Sequence, residues 1–168
     1  MLPLATGCGH CGALLALNNA HAAELSALEG AEFGRLVRQA FHFTRIGEAD
    51  AFLLAFDQDA DYRSPNFLWF RQRHARFVYV DRVVVAGPAR RSGLARLLYA
   101  DLFARAVAAG HDRVVCEVNI EPPNPGSASL HARLGFVAIG RAEIHAGRKT
   151  VCYLERGLGL SNGKACSW

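Results

Sequence analysis

FVYVDRVVVAGPARRSGLARLLYADLFARAVAAG, residues 77–110, changes its hydrophobic period midway, and that change decides the fold. Residues 77–85 are dense in β-branched and aromatic side chains and almost continuously apolar, the pattern of a central strand covered on both faces. Gly87 and Pro88 end it. From Gly93 onward Leu94, Leu97, Leu98, Leu102 and Val107 form a helical stripe, and Gly110 supplies a stop, so 93–109 reads as a long helix. Between strand and helix stands Arg90-Arg91-Ser92-Gly93-Leu94-Ala95. Small residues at its fourth and sixth positions let a phosphate approach the backbone. At a helix start the first N–H groups lack intrahelical partners and lie at the positive end of the dipole. The segment reads as an anion cradle, with a plain strand-to-helix turn as the alternative.

Outward from this unit, strands and helices alternate, which means an α/β layer fold. Upstream, the spacing predicts a strand over 14–17 ended by Asn18 and Asn19, helices over 22–28 and 32–40, and strands over 41–46 and 51–56 around Gly47. Residues 57–66, polar and containing Pro65, read as loop. Downstream come a strand over 114–119 and a short helix over 127–134, with Pro122, Pro123 and Pro125 preventing a helix before Gly126. Strands over 136–144 and 150–154 then pair across a turn at Ala146 and Gly147. The expected organisation is a flexible extension over 1–13, one domain over 14–158 and a flexible tail over 159–168.

Bulk properties narrow the function. A chain of 168 residues with 51% apolar content is long enough to bury one substantial core. Its net charge of +4 suits an anionic small partner, but the basic residues are scattered, so no nucleic-acid surface is expected. No stretch approaches the roughly 18 to 20 apolar residues of a membrane span. The N-terminus lacks the basic region of a secretory signal. Cys116 and Cys152 lie in strand-like runs as small hydrophobes, and a cytoplasmic location is expected. Cys8 and Cys11 have half of a zinc spacing without a second ligand pair, so no metal is expected. Neither a P-loop nor a G-x-G-x-x-G after a strand is present.

Two motifs carry a resemblance. Arg90, Gly93 and Ala95 fit R/Q-x-x-G-x-G/A; Asn124, Ser127, Leu130, His131, Leu134, Gly135 and Phe136 fit N-x-x-S/A-x-x-L-Y/H-x-x-L-G-F. Both, in this order with a strand between, resemble the acetyl-CoA signature of the GNAT N-acetyltransferase superfamily, in its small bacterial type. The resemblance implies a mixed, mostly antiparallel central sheet flanked by helices, V-shaped where the strand at 77–85 splays from that at 114–119. It implies that Val83, Val84 and Val85 offer backbone groups to pantetheine, that the amides of Arg91, Ser92, Gly93, Leu94 and Ala95 hold the pyrophosphate, and that Asn124 and Ser127 stand near the pantetheine arm. Arg91 replaces a glycine common in members, so its side chain must turn outward.

Acetyl transfer to an amine needs a base for the ammonium and can use an acid for the thiolate. Asp81, four residues before Val85, resembles the position of a Glu base in some members and is the first choice; an ion pair with Arg82 is its structural alternative. Glu117 is the second candidate base. His131 occupies the slot of a Tyr acid in many relatives, and could equally be an ordinary core or surface histidine. Helix capping would explain Ser127 as readily. For the acceptor, Asn18, Asn19, Asn66, Trp69 and Phe70 are candidates, although Phe67, Trp69 and Phe70 also fit a core at helical spacing. The expected activity is acetyl transfer from acetyl-CoA to a primary amine of a small or amino-acid-like molecule. The alternatives are a non-catalytic acyl-CoA-binding or regulatory module and a protein or peptide N-acetyltransferase. Homodimers are common in the family.

Overall fold

The computed structural model describes residues 2, 3 and 11–159. Seven strands, β1 (Leu2–Pro3), β2 (His42–Ile46), β3 (Ala51–Asp57), β4 (Val78–Val85), β5 (Arg113–Glu121), β6 (Val137–Ile144) and β7 (Lys149–Gly157), form one sheet in the order β1-β2-β3-β4-β5-β7-β6. Five helices accompany it: α1 (Cys11–Ala20), α2 (Gly30–Gln39), α3 (Pro65–Arg71), α4 (Leu94–Ala108) and α5 (Pro125–Arg133). Every pairing is antiparallel except that of β4 with β5, which is parallel and limited to Val78 with Val114 and Tyr79 with Val115. Beyond those pairs β4 runs on beside β3 and β5 beside β7, so the sheet forks. The expected mixed, mostly antiparallel, splayed sheet is what forms. In the β3–β4 ladder Leu54 pairs with Arg82 and Ala55 with Val80, so Asp81 is skipped as a bulge.

The two faces bury separate cores. On one, Leu98, Tyr99, Leu102 and Ala106 of α4 pack on Val78, Val80, Val114 and Cys116. On the other, Leu36 of α2 and Phe67 and Phe70 of α3 pack on Tyr79, Val115, Val151 and Tyr153. Within the α4 stripe, Leu97 and Val107 are corrections: they are 56% and 39% exposed, and Tyr99 and Ala106 face the sheet in their place.

Other expectations change as well. Residues 14–17 are helical, inside α1, because Leu and Ala are strong helix formers and none of these residues is β-branched. Residues 22–28 form turns and an extended segment rather than a helix, pinned by Asn18 and Asn19. The expected loop over 57–66 ends early, since Pro65 opens α3 and Ser64 caps it by accepting from the Phe67 N–H at 3.1 Å. Pro125 likewise opens α5, one residue before Gly126. Proline lacks the N–H that a first helical position would leave unpaired anyway. Cys8 and the tail from residue 160 lie outside the described residues, among which no group of His, Cys, Asp and Glu could hold a metal ion and no helix is long and apolar enough to cross a membrane.

Candidate active site

The fork leaves one edge of β4 without a strand partner from residue 80 onward. Val83, Val84 and Val85 pair with Leu53, Phe52 and Ala51 on the β3 side, which leaves their remaining backbone groups turned to the gap. A 3-10 turn at Gly87–Ala89 follows, then Arg90 to Gly93 lead into α4. Arg91 and Gly93 have φ of 63° and 84°, left-handed values that turn the chain into the start of α4. The Arg91 side chain is exposed, as its place in the motif requires. Ser92 Oγ donates to the Ala89 carbonyl, and Arg90 reaches His21 Nδ1 at 3.3 Å. A Cβ placed on Gly93 would meet nothing within 4 Å, so the ground before Leu94 and Ala95 is open to an anion. This fits the diphosphate of a coenzyme. Asn124 caps α5, its Oδ1 accepting from Ser127 N–H at 3.1 Å; the cap is thus Asn124, and Ser127 is the residue capped.

The two candidate bases occupy opposite arms of the fork in different states. Asp81 is fully engaged: Tyr62 Oη donates to Oδ1 at 2.5 Å and Arg82 Nε to Oδ2 at 2.6 Å, and Arg82 also donates to Asn18 Oδ1 at 2.7 Å. It is an ion pair, with the two side chains 5% and 4% exposed. Glu117 receives both of its hydrogen bonds on Oε1, from Asn66 Nδ2 at 2.8 Å and Tyr79 Oη at 3.1 Å. Oε2 is shielded from solvent and has no hydrogen-bond partner among the described residues. Burial, and then the charge of Asp81, push the Glu117 carboxyl up to about 8, against the pull of those two donors.

His131 lies in the core, 2% exposed, edge-on to Tyr99 and Phe136. Nδ1 is 2.8 Å from the Ser127 carbonyl, which can only accept, so Nδ1 carries the proton and Nε2 accepts from Tyr99 Oη at 2.6 Å. Burial lowers its pKa. The ring is neutral and saturated.

Of the acceptor candidates, Asn18 and Phe70 are fully buried, and Asn19 bonds the Leu28 backbone through both ends of its amide. Asn66 faces Glu117 rather than an opening, and Trp69 stacks on Tyr153 at 4.1 Å. The segment they pin crosses the fork: Lys149 Nζ donates to the Ala23 carbonyl at 3.3 Å, and Asn119 Nδ2 to that of Glu24 at 3.3 Å. Sequence reasoning missed Tyr62, Tyr79 and Tyr153, and named Arg82 only as the ion-pair alternative for Asp81, the pair that forms. Tyr79 had a readable signal, since period two puts it two residues from Asp81 beside the same gap; Tyr62 and Tyr153 reach the site from distant segments.

The sequence model of the Acetyltransferase (GNAT) family matches residues 39–136. A search of curated proteins finds no match. Among solved structures, the NatC complex bound to Gag peptide and CoA contains a chain of similar fold, with TM-score 0.69 and 13% identity over 93% of this chain and 96% of that one. The ribosomal-protein-S18-alanine N-acetyltransferase from Escherichia coli gives 0.62 and 16% over 99% and 97%. YncA, a putative acetyltransferase from Salmonella typhimurium with its cofactor acetyl-CoA, gives 0.63 and 20% over 88% of each chain. A forked sheet with an open helix start beneath it, and a family match across more than half of the sequence, lead to one conclusion: the chain belongs to the GNAT family and is an acetyl-CoA-dependent acetyltransferase.

Proposed function

We propose that the protein acetylates a primary amine of a small or amino-acid-like molecule, with Glu117 as the general base. The observation that carries this is the shielded, unpartnered Oε2 of Glu117 at the fork, on a carboxyl pushed up to about 8. A base of that strength takes a proton from an ammonium near neutral pH far better than an ordinary carboxylate does. The incoming amine, or a water between them, gives Oε2 the partner it lacks. Asp81 is bound on both oxygens and serves to hold Arg82 and Tyr62. His131 is a packing residue. The backbone of Val83, Val84 and Val85 and the amides from Arg91 to Ala95 hold the coenzyme beside Asn124. Bound acetyl-CoA supplies an acetyl thioester, from which the N–C bond forms as the C–S bond breaks.

The catalytic unit spans 14–158 together with the start of α1. Free thiols at Cys116 and Cys152 support a cytoplasmic location. Val137 and Ile139, 60% and 38% exposed on the edge strand β6, support a homodimer.

CoA release measured over a panel of small amines, amino-acid amides and alanine-ended peptides, with Glu117→Gln and Asp81→Asn alongside, tests the reading. Turnover with a small amine that is lost in Glu117→Gln supports it. Turnover with peptides alone moves the acceptor to protein N-termini, and tight coenzyme binding with no acetylated amine makes the chain a binding module.

A further inference from the structure

The hydrogen bonds around Glu117 run in one direction. Tyr153 Oη on β7 donates to Asn66 Oδ1 at 3.1 Å, and Asn66 Nδ2 on α3 donates to Glu117 Oε1 on β5 at 2.8 Å. Once Glu117 is ionised, the state in which it acts as base, its carboxylate only accepts, so in that state the Asn66 amide cannot be turned round without setting oxygen against oxygen. Behind this relay Trp69 lies flat on the Tyr153 ring, 4.1 Å away and tilted by 20°. Trp69 fits there because Gly140 on β6 has no side chain; a Cβ would lie 2.6 Å from the indole. From the other side Tyr79 on β4 donates to the same Oε1. Four elements thus fix one oxygen of a carboxylate and leave the other bare.

We propose that Asn66, backed by Tyr153 and Trp69, is a positioning residue that holds Glu117 by Oε1 so that Oε2 is the oxygen presented to the acceptor. This rests on the reading of Glu117 as base and goes beyond it. Asn66 acts through Glu117 and does not touch the acceptor. The titratable groups whose charge would act on Glu117 are Asp81 and Tyr79 on β4 and Tyr153 on β7, and, from the other face of the sheet, Tyr99 on α4 and the adjacent Cys116. Burial pushes the three tyrosines and the thiol upward, so they stay neutral, and Asp81 is the charge among them.

The test follows the Glu117 carboxyl carbon by NMR titration of the full chain labelled with carbon-13 at glutamate side-chain carboxyls, with Glu117→Gln identifying the signal. Wild type should titrate near 8. In Asn66→Ala the midpoint should rise by about one unit, the worth of one charge-assisted hydrogen bond. Tyr153→Phe should raise it less, and should add nothing in the Asn66→Ala background. Where Asn66→Ala fails to fold, the near-isosteric Tyr153→Phe alone decides. A midpoint unmoved by these changes overturns the positioning role and leaves the base standing. A wild-type Glu117 that titrates near the ordinary 4.5 overturns the base reading itself.

Discussion

Asp81 and Arg82 are neighbours in the chain and partners in a shielded ion pair, joined at 2.6 Å. Consecutive strand residues normally point to opposite faces, and the bulge at Asp81 is what lets these two meet. Replacing Asp81 by Asn leaves a buried guanidinium without its counter-charge. Chemical denaturation should show Asp81→Asn less stable by about 3 kcal/mol, while turnover per folded molecule changes far less than in Glu117→Gln.

Glu117→Gln should do the reverse. Its kcat should fall about a hundred- to ten-thousand-fold. In wild type the folded carboxyl titrates near 8 and the unfolded one near 4.5, so this group's contribution to stability is fully present below 4.5, is lost as pH rises towards 8, and is level above that. The variant should lack that decline, which melting temperatures at pH 5 and pH 8 will show. A wild-type rate that rises with pH up to about 8 is the matching kinetic signature.

Gly93 begins α4 at φ 84°, with open space before it. Valine there meets a backbone penalty of about 1–2 kcal/mol and projects a side chain where a diphosphate must approach. Calorimetry should find acetyl-CoA binding weakened by about tenfold or more, with the circular dichroism of the fold retained. Unchanged affinity would remove the helix start from the binding site.

His131→Phe should cost stability rather than chemistry. The change orphans Tyr99 Oη in the core, a loss of about 1–3 kcal/mol in denaturant unfolding. The rate at saturating substrates and its pH profile should keep their shape. A large fall in kcat with stability intact would restore His131 as an acid.

Sequence period and motif made the central unit readable: β4, α4, β5 and α5 lie within a residue or two of where the spacing puts them, with Gly93 at the start of α4 and Asn124 at the start of α5. Backbone roles are local, so sequence carries them. The state of a carboxylate is not local. Asp81 and Glu117 look alike in sequence; what separates them is Tyr62, in a loop 19 residues before Asp81, and Asn66, 51 residues before Glu117. The segment 14–17 was misread because four residues are too few to tell a buried helix from a strand.

The two halves of the sheet share a seam only two rungs long, Val78 with Val114 and Tyr79 with Val115. Beyond those two rungs β4 and β5 are joined through side chains, such as Tyr79 to Glu117, and between them lies a cleft with no backbone ladder. Whatever wedges into it stiffens both leaves together, so a filled cleft should slow amide exchange along β5 well away from the α4 end where the wedge is gripped.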